Sequence, residues 1–302
     1  MESMDEKWVR LREADLHVHS LASDGTMSPE EVVAFAARVG VGVMALTDHD
    51  TTMGIPSAIS AASKWGVRLI PGIEMTAEES GEELHILGYF IDIDNQSLQE
   101  TLARLRLLRS ERAQRMLGAL TRIGIDVDFA DVSCQTWESI GRPHIARILM
   151  SRGIVSTAKE AFDRFLDPGR PAYIPLPRPS ARDVISLIRN AGGVSSLAHP
   201  IIPGRDEPWS RIQHVARMLV ALKEDGLTGL ESYYAEYPPE VVRALVSLAE
   251  SRGLIPTGGS DFHTPEGHAR SPGGTCVPEG TVTRLMRASE ALRSAVHAGI
   301  RA

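Results

Sequence analysis

The sequence predicts an α/β protein, a parallel β/α barrel interrupted by a helical insertion. Two patterns lead there. Short apolar runs alternate with helical patterns in the first third of the chain and again in the last. Between residues of about 95 and 180 that rhythm gives way to helix after helix. A length of 302 residues is ordinary for a single barrel of this kind.

The elements follow in order. Ala14 to Ser20 reads as a strand. Ser28-Pro29-Glu30-Glu31 then opens a helix, with Ser28 as N-cap, Pro29 in the first helical position and Glu31 able to close a capping box. Gly40 to Asp48 holds a second strand, Ile55 to Trp65 a helix, and Val67 to Thr76 and Glu83 to Phe90 the next two strands. Leu98 to Ile123 is a long helical pattern, followed by helical stretches near Pro143 to Ser151 and Ser156 to Phe165. The five prolines between Pro168 and Pro179 mark an extended connector. Ser180 then caps a helix to Asn190. Strands at Gly193 to Ala198, Leu227 to Tyr233 and Leu254 to Asp261 alternate with helices at Trp209 to Glu224, Pro239 to Arg252 and Val282 to Ala298. Residues 13–95 and 180–302 are expected to form a discontinuous barrel, with 96–179 as an inserted cap.

Composition narrows the function classes. A net charge of -7 argues against coating nucleic acid through bulk charge, and stable duplex DNA binding is not expected. The window 100–180 nevertheless holds 13 Arg and Lys against 9 Asp and Glu, a balance of +4 that leaves -11 for the rest. A basic cap on an acidic barrel suits an anionic substrate. Two distant cysteines, Cys134 and Cys276, make no disulfide framework. Met1 to Arg12 lacks the apolar core of a signal peptide, and no run of about 18 apolar residues exists, so a cytoplasmic protein without a membrane span is expected. Oligomeric state is not legible. There is no phosphate-loop lysine after Gly258-Gly259 and no Gly-x-Ser-x-Gly elbow, which leaves covalent serine chemistry without support.

The chemistry lies at the strand ends. The first strand carries His17 and His19, whose i and i+2 spacing points both to one face. Asp24 follows in Ser23-Asp24-Gly25. The later strands bring Asp48, His49 and Asp50, then Glu74, His85, His199, Glu231, and Asp261 with His263. In a β/α barrel these ends share one rim. Imidazole and carboxylate together suit Mn, Zn or Fe, and the ligands are too many for one ion, so two or three are implied. Close metal pairs serve phosphate-ester hydrolysis. His214, His268 and His297 lie off the strand ends and read as structural. His144, in Gly141-Arg142-Pro143-His144 of the basic insertion, reads as a candidate phosphate contact beside the fork of Arg142.

The series His17-x-His19, Ser23-Asp24-Gly25, Thr47-Asp48-His49, Glu74, His85, Ala198-His199-Pro200 and Ser260-Asp261-x-His263 resembles the polymerase and histidinol phosphatase (PHP) superfamily. The stretch Arg142 to Ala146 resembles its branch of nucleoside 3',5'-bisphosphate phosphatases and 5'-to-3' exoribonucleases. The resemblance implies a distorted (β/α)7 barrel and a trinuclear site, with Mn the first choice of ion and Zn or Fe as alternatives. His17, His19, Glu74 and Asp261 would hold one ion. Glu74 would bridge to a second held by His85 and His199, and Asp24, His49 and His263 would hold the third. Asp15, Asp48 and Asp50 would support these ligands, and Glu231 is not counted among them. Water activated by the ions would attack phosphorus in line. Arg142 and His144 would grip a phosphate, with His144, His199 or water supplying the leaving-group proton. The expected substrate is a nucleotide bisphosphate or a short 5'-phosphorylated RNA. The alternatives are a small-metabolite phosphatase, such as one for histidinol phosphate, and a non-catalytic regulatory metal domain.

Overall fold

A computed structural model describes residues 14–136, 138–204, 206–265, 272–275, 277–278 and 280–297. Met1 to Arg12, His268, Cys276 and the side chain of His297 lie outside the described residues. Seven strands form one sheet in sequence order, β1 (Ala14–Val18), β2 (Val43–Leu46), β3 (Arg68–Glu79), β4 (Glu82–Tyr89), β5 (Val194–Leu197), β6 (Gly229–Tyr234) and β7 (Ile255–Gly259). The helices α1 (Pro29–Val39), α2 (Ile55–Trp65), α3 (Gln96–Arg122), α4 (Phe129–Ser133), α5 (Arg142–Ser151), α6 (Ala158–Ala161), α7 (Ala181–Asn190), α8 (Pro208–Glu224), α9 (Pro239–Ser251) and α10 (Gly280–His297) surround or extend it.

Local chemistry explains the helix starts. Ser28 accepts from the Glu31 N–H at 3.2 Å while the Glu31 carboxylate accepts from the Ser28 N–H at 2.8 Å, the expected capping box. Ser180 caps α7 through the Asp183 N–H. The segment expected as one helix from Ser156 divides into α6 and a π-helical turn, Phe162–Leu166. The short α4 was not read from the sequence.

The sheet is not wholly parallel, which corrects the sequence expectation. β4 runs antiparallel to both β3 and β5, while the other pairs are parallel. The cause is the link after β3. Only Ser80 and Gly81 join the strands, with φ of 52° and 81°, the left-handed pair of a tight hairpin. A parallel return would need a crossover of about a dozen residues.

The barrel closes at one end where the chain beyond β7 meets β1. The Asp261 N–H donates to the His17 carbonyl at 2.8 Å and the His19 N–H to the Phe262 carbonyl at 2.9 Å. Closure relies on Gly259, where a Cβ would stand 2.3 Å from the His17 Cβ.

The insertion has its own core, from Ala113 and Met116 through Leu149 to Phe165 and Ala172. α3 serves both bodies, because Leu98, Leu102 and Leu105 belong to the barrel core. Between the two groups lies Arg109, buried, whose Nε donates to Asp50 Oδ2 at 2.7 Å and Nη2 to Thr76 Oγ1 at 2.9 Å. The proline-rich connector has no regular structure over residues 173–179 and passes β3, where the Glu78 N–H donates to the Pro179 carbonyl.

Candidate metal centre

The rim at the carboxyl ends of the parallel strands gathers all nine expected ligands. β1 presents His17, His19 stands just past its end, and the loop after it brings Asp24. His49 follows β2, Glu74 lies on β3, His199 follows β5, and Asp261 and His263 follow β7. His85 reaches the same rim from early in β4, which the antiparallel hairpin makes possible. Ligand atoms cluster in four overlapping sets, each within 4.8 Å of one another. They are His17, His19 and Asp261; His17, Glu74 and His199; His49, Glu74 and His85; and His19, Asp24, His49 and His263.

Glu74 is the hub. Its Oε1 stands 2.8 Å from His85 Nδ1 and 3.0 Å from His199 Nε2. Its Oε2 stands 3.3, 3.2 and 3.1 Å from His17 Nε2, His19 Nε2 and His49 Nδ1. Yet Glu74 Oε2, His17 Nε2, both ring nitrogens of His19 and His49 Nδ1 are buried with no hydrogen-bond partner. Buried orphaned polar atoms are costly unless something satisfies them. Lone pairs converging from imidazole and carboxylate fit divalent cations.

The electrostatics agree. Burial favours the neutral imidazole, but the surrounding carboxylates outweigh it. Glu231, Glu74 and Asp261 lift His17, and Asp261 and Glu74 bring His19 to about 10. His85 rises to about 9 through Glu74 and Glu83. Burial works against the charged forms of Asp24, Glu74 and Asp261 too, but the imidazoles hold all three well below the usual carboxylate range. His49 falls to about 3, because burial and the neighbouring His19 and His85 outweigh its carboxylates. The cluster draws positive charge until its own histidines repel, the condition under which divalent ions displace protons.

Three further carboxylates brace the loops. Asp48 accepts from the Ser20 N–H (2.7 Å), Ser20 Oγ (2.7 Å) and Ser23 Oγ (2.6 Å), which folds the Asp24 loop over β1. Asp15 accepts from the Ser260 N–H at 2.9 Å and the Gly273 N–H at 3.0 Å. Asp50, at φ 51°, takes the Arg109 bond.

The insertion residues divide. Arg142 lines a cavity of about 530 Å³ whose wall also carries His85, His199, Tyr173, Arg178 and Arg211. His144 is a correction to the sequence reading. It is fully buried, and its Nδ1 accepts from the Gly141 N–H at 2.9 Å. The other nitrogen therefore carries the proton and donates to the Ser23 carbonyl at 3.0 Å. No ring atom is left for a substrate. His144 is a latch between the insertion and the Asp24 loop.

That latch has a pH consequence. Burial lowers the His144 pKa below its usual 6.5, so below that pH the unfolded chain takes up a proton that the folded one refuses. Stability is intact above pH 6.5 and lost as pH falls below it, by up to about 1.4 kcal/mol at pH 5.5. Thermal melts at pH 7.5 and 5.5 should show a smaller acid penalty for His144→Gln than for the parent. Equal penalties would sink this assignment.

The sequence reading missed Arg112 and Arg178. Arg112 donates from Nε to the Ile174 carbonyl at 2.7 Å, but its buried Nη2 has no partner. Burial and the nearby Arg142 and Arg109 bring its pKa down to about 10. Arg178 pairs with Glu83, while its buried Nε has no partner. The signal was present: Arg178 stands between two prolines in the connector, and Arg112 follows Arg109 by one helical turn.

Comparison with known proteins places this geometry. The sequence matches the PHP domain family over residues 15–167. It is 34% identical over 263 residues to a 3',5'-nucleoside bisphosphate phosphatase of Chromobacterium violaceum, covering 86% of this chain and 90% of that one. It is also 34% identical over 253 residues to a 5'-3' exoribonuclease of Haemophilus influenzae, covering 84% and 90%. A crystal structure assigned as a metal-dependent phosphoesterase from Bifidobacterium adolescentis superposes with a TM-score of 0.81 at 33% identity, covering 91% of this chain and 95% of that chain. Among the described residues no helix is long and apolar enough to cross a membrane.

Proposed function

This chain belongs to the PHP domain family of metal-dependent phosphoesterases, and on that premise we propose that it hydrolyses a nucleotide carrying a second phosphate, or the 5' end of a short RNA. The observation that carries the proposal is the shared cavity. One space of about 530 Å³, within the range of small-molecule sites, has two imidazoles of the metal cluster on one wall and Arg142 and Arg178 on another. The scissile phosphate belongs at the cluster and the second anion at the arginines.

The nine rim residues are assigned as ligands to two or three ions, Mn first, with Zn or Fe suited to the same donors. Divalent ions bound there lower the pKa of water and neutralise charge on phosphate oxygens. The protein's own residues do the rest. Glu74 orders five imidazoles around its two oxygens. Arg142 lies 3.8 Å from Glu83 and 3.6 Å from Asp167, with its guanidinium over the Phe162 ring at 5.5 Å, contacts loose enough for its fork to turn to phosphate. Arg178 Nε and Arg112 Nη2 add unused donors nearby. The Tyr173 ring offers a flat wall for a base or ribose.

The test is phosphate release from adenosine 3',5'-bisphosphate, AMP and a short 5'-phosphorylated RNA with added Mn. Arg178→Ala should raise the KM for the bisphosphate by about 10- to 100-fold, the worth of a hydrogen bond to a charged group. Its effect on AMP should be smaller. Faster turnover of histidinol phosphate than of any nucleotide would overturn the reading in favour of a metabolite phosphatase. Failure to turn over any ester with any of the three metals would favour a regulatory domain.

A further inference from the structure

β6 contributes none of the nine ligands, yet two of its side chains touch three of them. Glu231, fully buried, has Oε1 3.0 Å from His17 Nδ1, and its Oε2 accepts from the backbone N–H of His199 at 2.6 Å. Tyr234 donates to Asp261 Oδ2 at 2.8 Å, which leaves Oδ1 turned toward His17 and His19. We infer that Glu231 is a positioning residue that sets the tautomer of His17 and the backbone of His199 together, holding both imidazoles as donors to the metal cluster.

The chemistry of the carboxylate requires this. An ionised Glu only accepts, so His17 Nδ1 must carry the proton, and the Nε2 lone pair points into the cluster, 3.3 Å from Glu74 and 3.4 Å from Asp261. On the other side His199 sits at φ 20°, an uncommon backbone for a residue with a Cβ. A 2.6 Å bond to its N–H holds that conformation. His17 and His199 converge with Glu74 in one of the four ligand sets, so Glu231 spans both imidazole members of that set from behind. Both of its partners are donors. Gln has one acceptor oxygen and must turn an N–H₂ toward one of them, and Asp is a methylene too short to reach both.

The inference rests on the proposed metal centre, but its test does not need substrate. Parent and Glu231→Gln, with folding checked by near-UV circular dichroism, would be titrated with Zn against a competing chelator. The expected result is that one class of bound Zn weakens by about 10- to 100-fold while the others hold. Glu231→Asp should not rescue it. Long-range ¹H–¹⁵N spectra of the Zn-loaded parent, with His17 identified through His17→Gln, should show its proton on Nδ1. This second measurement decides the matter if Glu231→Gln does not fold. A parent that loads Zn beside a variant that loads it equally would overturn the inference alone, as would a parent His17 protonated on Nε2. A parent that takes up no Zn would overturn the metal centre and the inference with it.

Discussion

Glu74→Gln should lower ester turnover by about three orders of magnitude or more and remove at least one tightly bound ion. Glu74 stands within 3.3 Å of five imidazoles, and two of the four ligand sets include it. Gln keeps the volume but loses the charge and one acceptor oxygen. The site would then hold the same histidines around an amide, and their attraction for cations would fall. Charge stabilisation by bound metal contributes several kcal/mol to such reactions, and each 1.4 kcal/mol is tenfold in rate. Metal content by atomic emission and turnover of adenosine 3',5'-bisphosphate would be measured on the same preparation. A variant that keeps its ions and stays within tenfold of the parent would remove Glu74 from the centre of the mechanism.

Gly259→Ala should damage the fold and the site together. The added Cβ would lie 2.3 Å from His17 Cβ and 2.4 Å from its backbone nitrogen. Carbon contacts settle near 3.5–4.0 Å, so β1 or β7 must move by about 1 Å. Forced overpacking of this kind costs about 3 kcal/mol or more, which lowers the Tm of a chain this size by roughly 5–10 °C. Either strand leads into the site, β1 through His17 and His19 and β7 through Asp261 and His263, so activity should fall even where the protein remains folded. Gly40→Ala is the control: Gly40 has φ 98° but open space around it, so strain should be its sole cost, near 1 kcal/mol. A Gly259→Ala protein that melts and turns over like the parent would mean that the barrel closes less tightly than described.

The strand-end cluster of histidines and carboxylates was legible because its signal is local. Two histidines at i and i+2 must share a face, and a strand followed by a helix must place its end at the rim. The capping box of α1 was legible for the same reason, since all its atoms lie within four residues. The direction of β4 was not read, because it depends on a two-residue turn whose left-handed second position, Gly81, is clear only beside Ser80. His144 misled through its motif. Arg-Pro-His at a helix start looks like an anion site, but the ring's partners are Gly141, its near neighbour, and Ser23, 121 positions away. The contacts of Glu231 with His17 and His199 depend on such distant partners too, and no spacing rule announces those contacts.

The reversal at β4 also bears on how the chain assembles. β1 to β4 pair through short connections, so half the sheet can form early. The strand that must dock on β4 is β5, with residues 90–193 between Tyr89 and its partner Val194. Closing a flexible loop of about a hundred residues costs about 2 kcal/mol more than closing one of a dozen. An insertion that condenses around its own apolar cluster before β5 arrives shortens that loop and brings the two halves of the barrel within reach. The insertion would then also be a scaffold for folding, and lesions in its interior should slow refolding as well as alter the cavity.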